Sequence, residues 1–203
     1  MHTDSTNVKK VSKASQSAAT RAKLIKAARR LFAKNGYAHV GTEEVVRRAG
    51  VTRGALYHQF ADKKDLFRAV LEDLEQDIIQ RLGEQVVAKA SGPGEALMAT
   101  VAAWLDASEE PEVQQIMLID APGVLGWHEW REIGQRHALG EAMIMLEAAM
   151  EEGTVARQPV RPLAHVVVGA LDEAVLYIAG AEDRDAARAE MTDVLQRLIS
   201  GLS

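Results

Sequence analysis

The chain has 203 residues, 47% hydrophobic and 4% aromatic, with no cysteine and a formal net charge of −5. That length holds one large or two small domains with a real core, and that apolar content excludes a disordered chain. The missing cysteine excludes disulfides, thiolate nucleophiles and thiolate metal sites.

Residues 1–19 are rich in Ser, Thr, Lys and Ala without periodicity and are read as a flexible arm. Lys9, Lys10 and Lys13 either touch DNA backbone or minor groove or are simply mobile. The opening MHTDSTNVKKVSK has charge but no apolar segment after it, so it is not a secretory signal. Thr20 is expected to cap a first helix over residues 20–35, with Leu24, Ala28, Leu31 and Phe32 as its inner stripe and Gly36 as its end.

Residues 42–65, TEEVVRRAGVTRGALYHQFADKKD, read as two short helices around a tight turn, followed by the start of another. Thr42 is expected as an N-cap, with Glu43 and Glu44 at the positive end of the helix dipole. Gly50 stops that helix, and Thr52 caps the next. This is the helix-turn-helix pattern, whose second helix enters the DNA major groove. At roughly 100° per residue, Leu56 and Phe60 define the buried side of that helix. Arg53, Gly54, Ala55, Tyr57 and His58 are then left facing DNA. Arg pairs two-pronged with guanine, Tyr and His bond to phosphates or base edges, and Gly54 removes bulk. Arg47 and Arg48 either reach phosphates or are solvated charges. Asp62 caps the next helix, with Asp65 completing a short capping box. Free N–H groups at that helix start, together with Lys63 and Lys64, suggest a phosphate clamp. Leu66, Val70, Leu74 and Ile78 extend the helix to about residue 82.

Residues 20–71 resemble the N-terminal domain of TetR-family transcriptional regulators. The resemblance is carried by AARRLF, the Asn35-Gly36-Tyr37 turn, Thr42, the AGVTRGALYHQF run, and Lys63 with Leu66. It implies an all-α fold: an N-terminal three-helix helix-turn-helix DNA-binding domain and a C-terminal helical domain for ligand binding and dimerisation. The expected limits are 1–19 for the arm, 20–66 for the DNA-binding domain and 67–203 for the rest. Charge agrees with that division. Residues 1–70 hold 15 Lys or Arg and five Asp or Glu, while the remainder holds nine basic and 24 acidic residues. A basic head suits phosphate and an acidic body does not.

Beyond a Ser91-Gly92-Pro93-Gly94 loop, a helix is predicted over 95–108 with Leu97, Val101, Trp104 and Leu105 inward. Another opens at Pro111 and breaks at Ala121-Pro122-Gly123. A long helix follows over 127–151, buried most of the way round from Leu139 to Met150. Residues 163–179 and 184–199 form two apolar C-terminal helices that suit a dimer interface through Val194, Leu195 and Leu198. The resemblance implies a four-helix bundle with the mate. No uninterrupted apolar run approaches about 18 residues, so no transmembrane helix is expected, and the cytoplasm is the default location.

All three Trp lie between Trp104 and Trp130, with Met residues on the neighbouring helices. Trp104, Met117, Trp127, Trp130, Met143 and Asp172 are the candidate ligand-binding residues, against the reading that they are plain core. Asp172 and Glu173 interrupt an apolar stretch and face solvent, a dimer mate or a cavity. Ala102 and Ala142 are positions where bulk would fill a cavity. No cofactor motif is present: Gly92-Pro93-Gly94 is too short for a phosphate loop, and His128 lacks a second His four residues on. The sequence therefore predicts a homodimeric repressor that binds a palindromic double-stranded operator and is released by a small apolar or aromatic effector. The rivals are a regulator of the same fold without a ligand and a small helical enzyme with a DNA-binding head.

Overall fold

The computed structural model describes residues 5–202, excluding the side chains of residues 5–12 and 87. Among the described residues every regular element is a helix, and the chain divides into two compact units after Asp73.

The first unit contains α1 (Ser5–Asn35), α2 (Thr42–Ala49), α3 (Arg53–Gln59) and the start of α4 (Lys63–Lys89). α1 begins well before the expected Thr20, whose hydroxyl instead donates to the Gln16 carbonyl at 2.9 Å within the helix. Ala and Lys in the preceding stretch favour a helix, and its later part is fastened. The Gln59 side-chain amide donates to Ser17 Oγ at 2.7 Å, and Arg21 donates to the Gln59 carbonyl at 3.2 Å while lying over the Phe60 ring. Lys13 is exposed; the expectations for the side chains of Lys9 and Lys10 fall outside the described residues.

Thr42 is the first helical residue of α2, and Gly41 takes the cap position without a side-chain bond. At the other end Gly50 has φ 65°, a left-handed backbone that a side chain would strain. Its N–H donates to Arg47 O and that of Val51 to Val46 O, so two end carbonyls of α2 are satisfied by the turn. The core beneath is aromatic. Phe32 and Phe67 meet edge to face at 5.4 Å, and Tyr37 meets Phe67 at 5.0 Å. Phe67 thus belongs to the aromatic core of the first unit, which extends along α4 to Asp73.

The second unit takes the rest of α4, α5 (Pro93–Ser108), α6 (Pro111–Val113), a π-helical segment (Gln114–Asp120), α7 (Ala121–Leu125), α8 (Trp127–Glu152), α9 (Val160–Gly180) and α10 (Arg184–Ser200). The expected break at Ala121-Pro122-Gly123 is absent. Pro122 sits in the first turn of α7, where its missing N–H costs nothing, and Gly126, at φ 92°, makes the break. The π turn changes the facing of side chains, and Ile116, Met117 and Leu118 are buried in succession. α8 is not buried all round in its second half, since Ile144 and Glu147 are exposed. Leu97, Leu146, Ala149, Leu163 and Val167 form a core from α5, α8 and α9. Asp183 caps α10 by accepting from Ala186 N–H at 3.0 Å. Arg81 of α4 donates twice to the Glu110 carboxylate, at 2.8 and 3.0 Å.

α9 has a mean hydropathy of 1.5 over an 18-residue window, so by length and composition it passes as a membrane span despite Asp172 and Glu173. Counting only uninterrupted apolar runs hid this. Its Ala164, Val168, Ala174 and Val175 are packed inside the second unit.

Phe32→Ala should destabilise the first unit by about 3–5 kcal/mol, the usual effect of emptying an aromatic site. Denaturation followed by circular dichroism should show the loss. Tryptophan fluorescence reports only the second unit and should move less; equal shifts in both signals would contradict independent cores.

Candidate nucleic-acid interface and ligand cavity

The α3 face forms as its periodicity predicts. Leu56 and Phe60 are buried, Arg53, Gly54, Tyr57 and His58 are exposed, and Ala55 is half-buried. Thr52 Oγ1 accepts from Ala55 N–H at 3.2 Å and fixes the helix start. A Cβ added at Gly54 would meet nothing closer than Thr52 Oγ1 at 4.0 Å, so this point of the face is open to an approaching surface.

Arg53 has two neighbours on this face. Its Nη1 lies 3.4 Å from Glu43 Oε1, and its guanidinium lies 5.6 Å from the Tyr57 ring centre. Hydrogen bonds to Thr42 and then Arg53 hold the Tyr57 phenol below its ordinary pKa, against opposing pulls from dehydration and Glu43. Thr42 therefore reaches α3 through Tyr57. Glu43, which sequence reasoning used only as a helix-dipole residue, completes the group. An exposed pair such as Arg53–Glu43 contributes little stability, so a base edge or phosphate can replace Glu43 at small cost.

At the start of α4 the capping box forms, and it engages the Asp65 N–H, one of the first-turn donors. Asp62 accepts from Asp65 N–H at 2.7 Å, and Asp65 accepts from Ala61 N–H at 2.9 Å. Lys63 Nζ lies 4.0 Å from the Tyr37 ring centre, which fixes its direction. Burial, and secondarily the Asp62 charge, raise the Tyr37 phenol. Lys64 is half-buried, while Arg47 and Arg48 are exposed.

The second unit contains a cavity of about 330 Å³. Of the candidate ligand-binding residues, Trp104, Met117, Trp130 and Asp172 line it, and Ala142 does too. The other ligand-site expectations need correction. Trp127 is 53% exposed and packs at a tilt against Trp130, with ring centres 4.9 Å apart, outside the lining. Met143 packs on the Leu97–Leu146 core, and Met145 lines the cavity in its place. Ala102 is exposed and lies away from the cavity.

The polar groups are few and specific. Asp172 on α9 is pushed up to about 6 by burial, against a lowering pull from Arg131 on α8. Glu75 on α4 is only 6% exposed and pushed up to about 8, first by burial and then by the Asp172 charge. Trp104 Nε1 is buried without a hydrogen-bond partner. Glu75 escaped the sequence reading because α4 was followed at four-residue steps through Leu74. The neighbouring set Leu71, Glu75, Ile78 and Leu82 has helical spacing too, and a carboxylate within it was the available signal.

On α10, Val194 and Leu198 are 53% and 42% exposed, but Leu195 is 3% exposed and belongs to its own chain's core. Leu195 is therefore removed from the candidate interface. Val166 and Tyr177 on α9, eleven positions and about three turns apart, are exposed as well.

A helix-turn-helix head with an exposed Arg-Tyr-His face, in one chain with a helical body enclosing a cavity, defines the class of helix-turn-helix regulators. Residues 24–70 match the family model of bacterial regulatory proteins of the tetR family, and residues 94–202 match that of the tetracyclin repressor-like C-terminal domain. The chain belongs to the TetR family. A TetR-family transcriptional regulator from Pectobacterium atrosepticum is 34% identical with a TM-score of 0.81, covering 93% of this chain and 96% of that one. The HTH-type transcriptional regulator TtgR of Pseudomonas putida is 44% identical over 57 residues, which are 28% of this chain and 27% of TtgR. The chain thus matches about a quarter of that curated relative's length. RolR in complex with resorcinol shares the fold, with a TM-score of 0.72 at 23% identity over 94% of this chain and 97% of RolR.

The buried Glu75 carboxyl has a consequence for stability. Its pKa is raised on folding, so between about pH 4.5 and 8 the folded chain retains a proton that the unfolded chain has lost. Stability should fall as pH rises through this window, by roughly 3 kcal/mol at pH 7. Glu75→Gln should flatten the decline and raise the melting temperature at pH 7.5. A lower melting temperature with an unchanged pH slope would contradict the burial of a protonated carboxyl.

Proposed function

We propose that the chain is a transcriptional repressor that binds a palindromic operator as a homodimer and leaves it when a small apolar or aromatic effector fills the cavity. The observation that carries this reading is the aromatic cavity, with its few inward polar groups, in the same chain as a ready helix-turn-helix face. The cavity also favours it over a regulator of this fold without a ligand. Membership among bacterial regulators favours it over an enzyme and supports a cytoplasmic location. RolR's resorcinol complex supports an aromatic ligand for this fold.

On the head, Arg53, Tyr57 and His58 would read the major groove, with Gly54 and Ala55 letting the backbone approach. Thr42, Thr52, Lys63 and Lys64 would hold phosphates. In the body, Trp104, Met117, Trp130 and Asp172 would contact the effector, joined by Glu75 and Met145. The exposed apolar residues of α9 and α10, Val194 and Leu198 among them, would be covered by the mate in an isologous interface. Effector binding would favour a state of the dimer whose two heads are wrongly spaced for the operator.

Lys63→Ala should weaken all duplexes alike and reduce the slope of log affinity against log salt by about one. Arg53→Ala should instead relax sequence preference. Ala142→Phe should block the effector while sparing operator affinity. An Ala142→Phe variant that loses operator binding along with the effector, or a chain that stays monomeric at micromolar concentration in light scattering, would contradict this assignment.

A further inference from the structure

The cavity carries more acid than its apolar walls tolerate. Its ionisable lining consists of Glu75, Asp172 and Glu141 against a single guanidinium, Arg131. Arg131 acts on Asp172. Glu75 has no hydrogen-bond partner among the described residues, although it is almost wholly buried. Its carboxylate sits against Gly134 of α8, where an added Cβ would lie 3.4 Å from Oε1 and 4.0 Å from Oε2. The groups around it are accounted for on every wall. α9 supplies Asp172, and α8 supplies Arg131 and Glu141. The lining of α5 (Ala96, Thr100 and Trp104) and of the π segment (Met117 and Leu118) brings nothing that titrates near neutral pH. The Thr100 hydroxyl is already engaged with the Ala96 carbonyl at 2.8 Å.

We infer that this cavity is a receptor for an apolar monocation, an aromatic or aliphatic ammonium compound, whose charge takes the place of the proton on Glu75. This rests on the effector reading above and names the ligand class for that same site. An isolated carboxylate in an apolar site is costly, and the empty cavity avoids the cost by keeping the proton. A cation removes the reason for it. The proton passes to solvent as the ligand enters, so protein-bound H⁺ and free cation become protein-bound cation and free H⁺. Trp104 and Trp130, both in the lining, would add cation–π attraction. An anionic ligand would meet the surplus of carboxyl groups. A neutral ligand would leave the proton in place.

Benzyltrimethylammonium and its uncharged isostere neopentylbenzene separate these cases, because neither titrates. Both are added to the full-length protein, with binding followed by tryptophan fluorescence and by calorimetry in two buffers of different ionisation enthalpy. The cation should bind more tightly at pH 7.5, release close to one proton, and gain roughly tenfold in affinity per pH unit between 6.5 and 7.5. The isostere should release none and show no pH dependence. Glu75→Gln should abolish proton release and cation preference, with an unchanged circular dichroism spectrum and a cooperative melt showing that the variant is folded. If neopentylbenzene binds as tightly as the cation at pH 7.5 and lowers operator affinity, the effector reading stands and the cation class is overturned. A cation that binds without proton release overturns the exchange. If neither compound binds, at any pH in this range, the cation proposal fails, and the effector reading is tested separately with neutral aromatic diols.

Discussion

One helix has to serve two cores. α4 buries Leu66, Phe67, Val70 and Leu71 on the head side of the division and Leu74 and Ile78 on the body side. Asp73, the last residue of the first unit, pairs with Arg29 of α1 at 2.9 Å. Glu75, two residues further along the same backbone, lines the cavity. A helix rises about 1.5 Å per residue, so a contact belonging to the head and the acidic group of the cavity are separated by less than one turn. Asp73 and Glu75 are therefore near neighbours along one continuous helix.

The head was legible because its determinants are local. Capping, a left-handed glycine and a four-residue apolar spacing depend on neighbours in sequence, and Thr52, Gly50, Leu56 and Phe60 hold the positions those rules assign. Where the reading failed, a partner distant in sequence decided. The later residues of the expected arm are helical and bonded to the end of α3, through Ser17 with Gln59. Arg53 and Lys63 are directed by Glu43 and Tyr37, which periodicity does not place beside them.

The body was legible as helices and only partly as a site. Apolar patterning marks the long helices but not which apolar residues face a cavity and which face one another. Trp104, Trp130 and Met117 were separable from Trp127 and Met143 only after the helices were packed. Leu195 shows the same ambiguity at the surface, since it shares an amphipathic helix with Val194 yet points inward. Glu75 was the costliest omission. A charged residue inside an apolar stripe is more informative than the stripe, because burying it without a partner is unfavourable unless a function retains it.

The central claim is that occupancy of the cavity and operator binding oppose each other through one coupling free energy. Linkage makes that claim measurable from either side. The affinity of a cavity ligand, read by tryptophan fluorescence, is determined with and without saturating operator duplex, and the operator affinity is determined with and without saturating ligand. The account predicts that each partner weakens the other by the same factor, roughly 5–150 for a coupling of about 1–3 kcal/mol. A compound that fills the cavity with a full tryptophan response and leaves operator affinity unchanged, for every ligand class the cavity accepts, would contradict it.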